Sequence, residues 1–181
     1  MYTDNISNMS DRVKGVEHIC KSFDEVLEKS DVLYICSDPM LHYAQIKKAF
    51  FAGKHVLCES PIAVKKDQLE ELFSIAKEKK LVLMEAIKTA YSTAYSRLLL
   101  LLKSGKIGEV VSVDATCTSI RDMLTSGIDC HYCLNEWGPT AMLPVFHILG
   151  TDVKEKYSVA KFDENDNVIF AKVDFTFDED T

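Results

Sequence analysis

The residues best placed to do chemistry in this chain stand together in the run Ala52-Gly53-Lys54-His55-Val56-Leu57-Cys58-Glu59-Ser60-Pro61. A carboxylate, Glu59, and a hydroxyl, Ser60, follow directly on a short apolar run. Glu59 can accept hydrogen bonds from a hydroxylated ligand or take up a proton. A serine hydroxyl ionises far above neutral pH, so Ser60 needs an activating group before it can act as acid, base or nucleophile. Pro61 has no N–H to give a sheet and turns the chain away. Further along, Glu136 precedes Gly138-Pro139, where a carboxylate suits a helix N-terminus and the proline suits the first turn. His147 lies in an apolar helical turn and reads as a hydrogen-bonded or partly exposed structural histidine. The run Cys130-His131-Tyr132-Cys133 has the spacing of a metal or redox pair. A structural zinc needs four ligands, however, and a second Cys/His pair does not follow; a redox pair opens a helix, and this one follows Gly127 in an irregular stretch. No metal site is expected.

The elements that must position Glu59 repeat one pattern. Residues 31–36 form a short apolar run of the kind seen in a strand covered on both faces. Residues 41–51 carry Leu41, Ala44, Ile46, Ala49 and Phe50 at helical spacing. The strand leading to Glu59 follows, with Gly53 at the left-handed position just after the helix. Residues 65–80 carry Leu69, Leu72, Phe73 and Ala76 on one stripe, and residues 81–84 supply a third strand. Ser22 caps a short helix running to Lys29. Strand, helix, strand, helix, strand with tight connections predicts parallel pairing by right-handed crossovers. Glu59 then stands at a carboxyl end, where open α/β sheets bind ligands. Beyond Leu99 the pattern changes: a helix from Ser92 or Thr93 to Lys103 gives way to a strand over 110–120 and strands over 153–162 and 168–177 around a turn-rich tip. Strands clustered after helices predict an antiparallel sheet.

The run from Asp31 to Gly108 resembles the Gfo/Idh/MocA family of NAD(P)-dependent oxidoreductases. That family reads "D-x-V-x-I-A-T-P-N-x-x-H", then "A-G-K-H-V-x-C-E-K-P", then "M-E-A" and "G-x-I-G-x-V". The corresponding segments here are 31–42, 52–61, Met84-Glu85-Ala86 and 105–110, in the same order and at family spacing. The resemblance implies an α/β fold: a partial Rossmann-like parallel sheet over 1–86 that lacks the glycine-rich turn, followed over 87–181 by part of an α+β substrate or oligomerisation domain with a mainly antiparallel sheet. It implies hydride transfer between NAD or NADP and a sugar, polyol or related small molecule. Glu59 and Pro61 then fall beside the cofactor ribose and nicotinamide, and Ser37 and His42 on the cofactor-side loop. Ser60 occupies the position of the family's catalytic lysine, and Lys88, just after the third strand, could replace it. Counting back from Ile148-Leu149-Gly150 places Glu136 on the acid of the family's Asp-x-Gly signature and Thr140 on its His or Tyr. The catalytic set is therefore Glu136, Lys88 and Ser60, with Glu59, Ser37, His42 and Pro61 as cofactor contacts. Asp38, where the family has proline, adds a negative charge near the path of a nucleotide.

Composition narrows the classes further. The chain has 181 residues, 47% of them hydrophobic, and a net charge of -7. That balance argues against a nucleic-acid surface, which needs clustered Lys and Arg. No apolar run approaches the ~20 residues of a membrane helix. No signal-peptide pattern opens the sequence, so a cytoplasmic location is expected. The six cysteines are expected to be reduced and mostly buried. None of the seven glycines makes a G-x-G-x-x-G turn. Residues 1–14 read as a polar, flexible lead, and both ends read as cut. An incomplete sheet with open edges invites pairing with another chain, so a homo-oligomer formed through the C-terminal sheet is expected. Two other readings remain: a catalytically inactive relative serving as a binding or assembly module, and an unrelated α/β enzyme using Glu59, Lys88 or Glu136 for proton transfer.

Overall fold

The first two helices start where a side chain satisfies a free N–H group of the first turn. In the computed structural model, which describes residues 1–3, 15–118, 133–164, 166 and 168–177, α1 (Phe23–Lys29) opens behind Ser22, whose Oγ accepts from the Glu25 N–H at 3.2 Å. After β1 (Val32–Ile35), the carboxylate of Asp38 accepts from the Met40 N–H at 2.8 Å and α2 (Pro39–Phe51) begins on a proline. This start lies two residues before the apolar stripe, because a cap and an N1 proline set it. Gly53, at φ +73°, releases the chain from α2 into β2 (His55–Cys58). Helix α3 (Lys66–Lys79) ends on Lys80 and leads to β3 (Leu83–Glu85). The strand expected over 81–84 is displaced toward Glu85. The Leu81 N–H is taken by the Ala76 carbonyl at 2.8 Å and the Val82 N–H by His55 Nδ1 at 2.9 Å, so both are spent on the exit from α3.

The three strands pair in parallel in the order β1-β2-β3, and their connecting helices cover one face. Leu33, Ile35, Val56 and Cys58 turn toward Ile46, Ala49 and Phe50 of α2 and Leu72 and Ala76 of α3, all buried. Among the described residues the opposite face is not covered: Val32, Tyr34 and Met84 are exposed. This corrects the expectation of strands buried on both sides. The apolar run of residues 31–36 reports the composition of both faces but not the presence of a second layer. Met1 is also more ordered than a flexible lead implies, its amine donating to the His18 carbonyl and its carbonyl accepting from Cys20 N–H, both at 2.8 Å. Residues 4–14, the rest of that lead, lie outside the described residues.

The chain divides into two compact units, Met1–Ala86 and Ile87–Thr181. The second unit holds a single 3₁₀ turn (Lys88–Tyr91), α4 (Thr93–Lys103) capped by Ser92, α5 (Cys133–Leu149) and the antiparallel pair β4 (Val153–Phe162) and β5 (Val168–Phe177). The hairpin agrees with the alternation in the sequence, and Phe146 of α5 packs on Phe175 of β5 with ring centroids 5.3 Å apart. The strand expected over 110–120 is absent through residue 118, and Val111 is 94% exposed. Among the described residues, alternation there meets no partner strand, and a strand without a ladder leaves its backbone groups to water. Helix α5 is described from Cys133, so Pro139 and Pro144 lie inside it instead of at its first turn. Parallel sheet first and antiparallel pair second is the α/β arrangement expected of the whole.

Candidate functional site

Register brings three strand ends level. Ile35 pairs with Cys58 and Cys58 with Glu85, and one step further the Glu59 N–H donates to the Ile35 carbonyl and the Ala86 N–H to the Cys58 carbonyl, both at 2.8 Å. Cys36-Ser37, Glu59-Ser60-Pro61 and Ala86 therefore leave the sheet along a common rim. Side chains alternate along a strand, so Glu59 shares the face of Leu57, and Tyr34, which pairs with Leu57, is its diagonal neighbour on β1. The Tyr34 phenol donates to the Glu59 carboxylate. That bond, helped by partial burial and the carboxylate's charge, pushes the phenol up to about 12 from an ordinary 10.0. Tyr34 was missed in the sequence because only the strand register shows that two residues 25 apart can meet.

Behind the rim lies a clasp. His42 on α2 is 1% exposed, and its ring reaches the Pro61 carbonyl from Nδ1 at 2.8 Å and the Ser37 carbonyl from Nε2 at 3.0 Å. It ties the turn after β1 to the turn after β2. Both nitrogens are engaged with backbone and the ring is enclosed, so His42 holds the two turns of the rim together. The Ser37 hydroxyl donates to Gln45 Oε1 at 2.6 Å, which fixes the first of these turns to α2. The Ser60–Pro61 peptide is cis. Ser60 turns its hydroxyl inward, where it is buried with no hydrogen-bond partner. Among the described residues it therefore has no hydrogen-bonded group to activate it. Cys58, directly before Glu59, is fully enclosed, and burial, with the Glu85 and Glu59 charges, pushes its thiol up to about 12. Cys20 is likewise buried, but Cys36 at the rim is exposed, contrary to the expectation for the strand cysteines.

The remaining candidates belong to the second unit. Lys88 opens the 3₁₀ turn Lys88–Tyr91. Glu136 lies on α5, although its side chain falls outside the described residues, as do residues 130–132 of the cysteine pair. His147, near the end of α5, stacks on Tyr95 of α4, with its Nδ1 3.1 Å from the phenol oxygen. Among the described residues no three His, Cys, Asp or Glu side chains cluster closely enough to hold a metal ion. No described helix is long and apolar enough to cross a membrane.

Similarity to known proteins converges on one family. Residues 5–87 match the Gfo/Idh/MocA model, described as an oxidoreductase family with an NAD-binding Rossmann fold. A dTDP-3,4-didehydro-2,6-dideoxy-alpha-D-glucose 3-reductase of Actinomadura kijaniata is 35% identical over 100 residues, covering 54% of this chain and 30% of that enzyme. The NADP(+)-dependent scyllo-inositol 2-dehydrogenase IolU of Bacillus subtilis is 43% identical over 68 residues, covering 38% of this chain and 21% of that enzyme. Among solved structures, KijD10, a 3-ketoreductase from Actinomadura kijaniata in complex with NADP and TDP-benzene, superposes with a TM-score of 0.77 at 28% identity, covering 88% of this chain and 51% of that one. The chain thus spans about a third of the curated reductase in aligned sequence and about half of the solved chain.

Proposed function

We propose, from the match of residues 5–87 to the Gfo/Idh/MocA model of NAD-binding oxidoreductases, that this chain belongs to that family and acts in hydride transfer between a nicotinamide dinucleotide and a sugar or polyol. The observation that carries this reading is the level rim of three parallel strand ends with Glu59 at its centre. Open α/β sheets bind ligands at that edge. When bound, the dinucleotide supplies or takes the hydride. The chain's own residues fit the sugar end of such a ligand: Glu59 accepts from ribose hydroxyls, and the turns held by His42 border it. They do not fit the pyrophosphate as well. Asp38 caps α2 with its own carboxylate, which opposes phosphate at the one described helix N-terminus on the rim. NAD and NADP both remain in the proposal.

Ser60 stands where the family motif has lysine, so the proton that accompanies the hydride needs another carrier. We assign it to Lys88, with Glu136 as the second acid–base group; both chemistries suit a hydroxyl or carbonyl carbon as substrate. Self-association through β4 and β5 belongs to the same proposal, since Tyr157, Val159, Phe162, Ile169 and Phe170 are exposed on that ribbon. So does a cytoplasmic location. The alternative of a catalytically inactive module draws no support from relatives named as reductases and dehydrogenases.

Titrating NADPH and NADH against the folded chain, with nicotinamide fluorescence as the signal, tests the reading. Saturable binding is expected. No change at millimolar nucleotide overturns it. In a form that turns over, Lys88→Met is expected to lower kcat by roughly 100-fold or more while leaving the nucleotide Kd in place; unaltered turnover removes Lys88 from the mechanism.

A further inference from the structure

Glu59 does not stand at the rim alone. Its carboxylate accepts from Tyr34, which projects from the uncovered face of β1 and is 56% exposed. The two residues share one face of the sheet across neighbouring strands, a diagonal pair that a long aromatic side chain can close. A glutamate side chain has three rotatable bonds, so each contact to its carboxylate narrows where its oxygens point. A phenol anchored on a strand fixes one of them. An ionised carboxylate has room for about four donors, so accepting from one phenol leaves capacity for ligand hydroxyls.

We infer that Tyr34 is the positioning residue for Glu59, holding its carboxylate in the orientation that receives a vicinal diol such as the ribose of a dinucleotide. The inference rests on the proposed function and adds to it a residue that the family motif leaves unspecified, since the motif has no fixed residue at that place in the strand. Removing the phenol takes away a contact that orients the carboxylate, and ligand binding must then supply that ordering.

A double-mutant cycle on the full chain tests this, with NADPH as the probe and Kd read from nicotinamide fluorescence. Y34F is expected to raise Kd roughly five- to tenfold. E59Q is expected to raise it at least as much, and adding Y34F to E59Q is expected to change Kd by less than about twofold, because Tyr34 acts only through Glu59. Ultraviolet titration of tyrosinate supplies a second readout that loss of packing does not mimic. The difference between wild type and Y34F should show one phenol titrating near 12, and in E59Q that phenol should move back toward 10.0. Additive effects in the cycle, or Y34F binding as tightly as wild type, overturn the inference and leave the proposed function standing. Absence of binding by the wild-type chain overturns both.

Discussion

At the scale of single residues, the rim is defined by groups whose protonation the fold has moved. The Cys58 thiol, enclosed beside Glu85 and Glu59, titrates near 12 against an ordinary 9.0, and the Tyr34 phenol near 12 against 10.0. Both are acids held in their neutral form, so below the ordinary values neither distinguishes folded from unfolded chain. As pH rises past 9.0 the unfolded thiol loses its proton first, and stability falls until the folded value is reached. The urea midpoint is therefore expected to drop as pH rises from 9 toward 12, and Cys58→Ala is expected to flatten that part of the profile. Alkylation followed by mass spectrometry should label the exposed Cys36 in the native chain and spare Cys58 until the protein is unfolded. His42 carries a different load. His42→Ala removes a buried ring and two contacts to backbone carbonyls, which is expected to cost about 2–4 kcal/mol in urea unfolding. Glu59, Ser37 and His42 could all be found by reading along the chain, because motif order and strand ends locate them. Tyr34 could not, because its meaning depends on which residue of another strand lies diagonally across from it.

At the scale of elements, caps and pairing decide what periodicity leaves open. Helix α2 begins at Pro39 because Asp38 supplies the cap, and that same carboxylate faces the nucleotide path on the proposed reading. Two substitutions separate these roles. Asp38→Ala is expected to destabilise the chain by ~1 kcal/mol through loss of the cap. Asp38→Asn keeps a capping oxygen and removes the charge, so it should leave thermal stability nearly unchanged while tightening NADPH binding a fewfold. Fluorescence titration beside a melting curve distinguishes the two. Across the helix pair, Lys47 of α2 meets Glu71 of α3 at 2.7 Å, and the Tyr43 phenol donates to the same carboxylate. These groups are solvent-accessible, and Lys47→Met is expected to leave the urea midpoint within error. The helices of the first unit were readable because each turns apolar residues toward the sheet, and the terminal hairpin because two alternating runs flank a turn-rich tip. Residues 110–118 were misread because alternation is necessary for a strand but not sufficient; a ladder needs a neighbour that no local pattern specifies.

At the scale of the whole molecule, what stands out is how much apolar sheet is uncovered. Val32, Tyr34 and Met84 lie open on the parallel sheet, and Tyr157, Val159, Phe162, Ile169 and Phe170 on the hairpin. If the hairpin is the self-association surface, Val159→Lys should shift sedimentation equilibrium toward monomer without changing the far-ultraviolet circular dichroism; an unchanged distribution assigns association elsewhere. The sequence by itself determined the order of strands and helices through residue 103 and in the terminal hairpin, the parallel then antiparallel pairing, the family motifs and the carboxylate at the rim. These follow from local rules: periodicity, caps, breakers and short connections. Only the tertiary structure decided that Ser60 turns its hydroxyl inward without a partner among the described residues, that His42 clasps two turns, and that Glu59 accepts from Tyr34. The physical reason is that burial and cross-strand contact are properties of register and packing, which join residues far apart in the chain. The resemblance at 59–61 therefore identifies an ancestry, and the directions in which those side chains point decide what chemistry it can still perform.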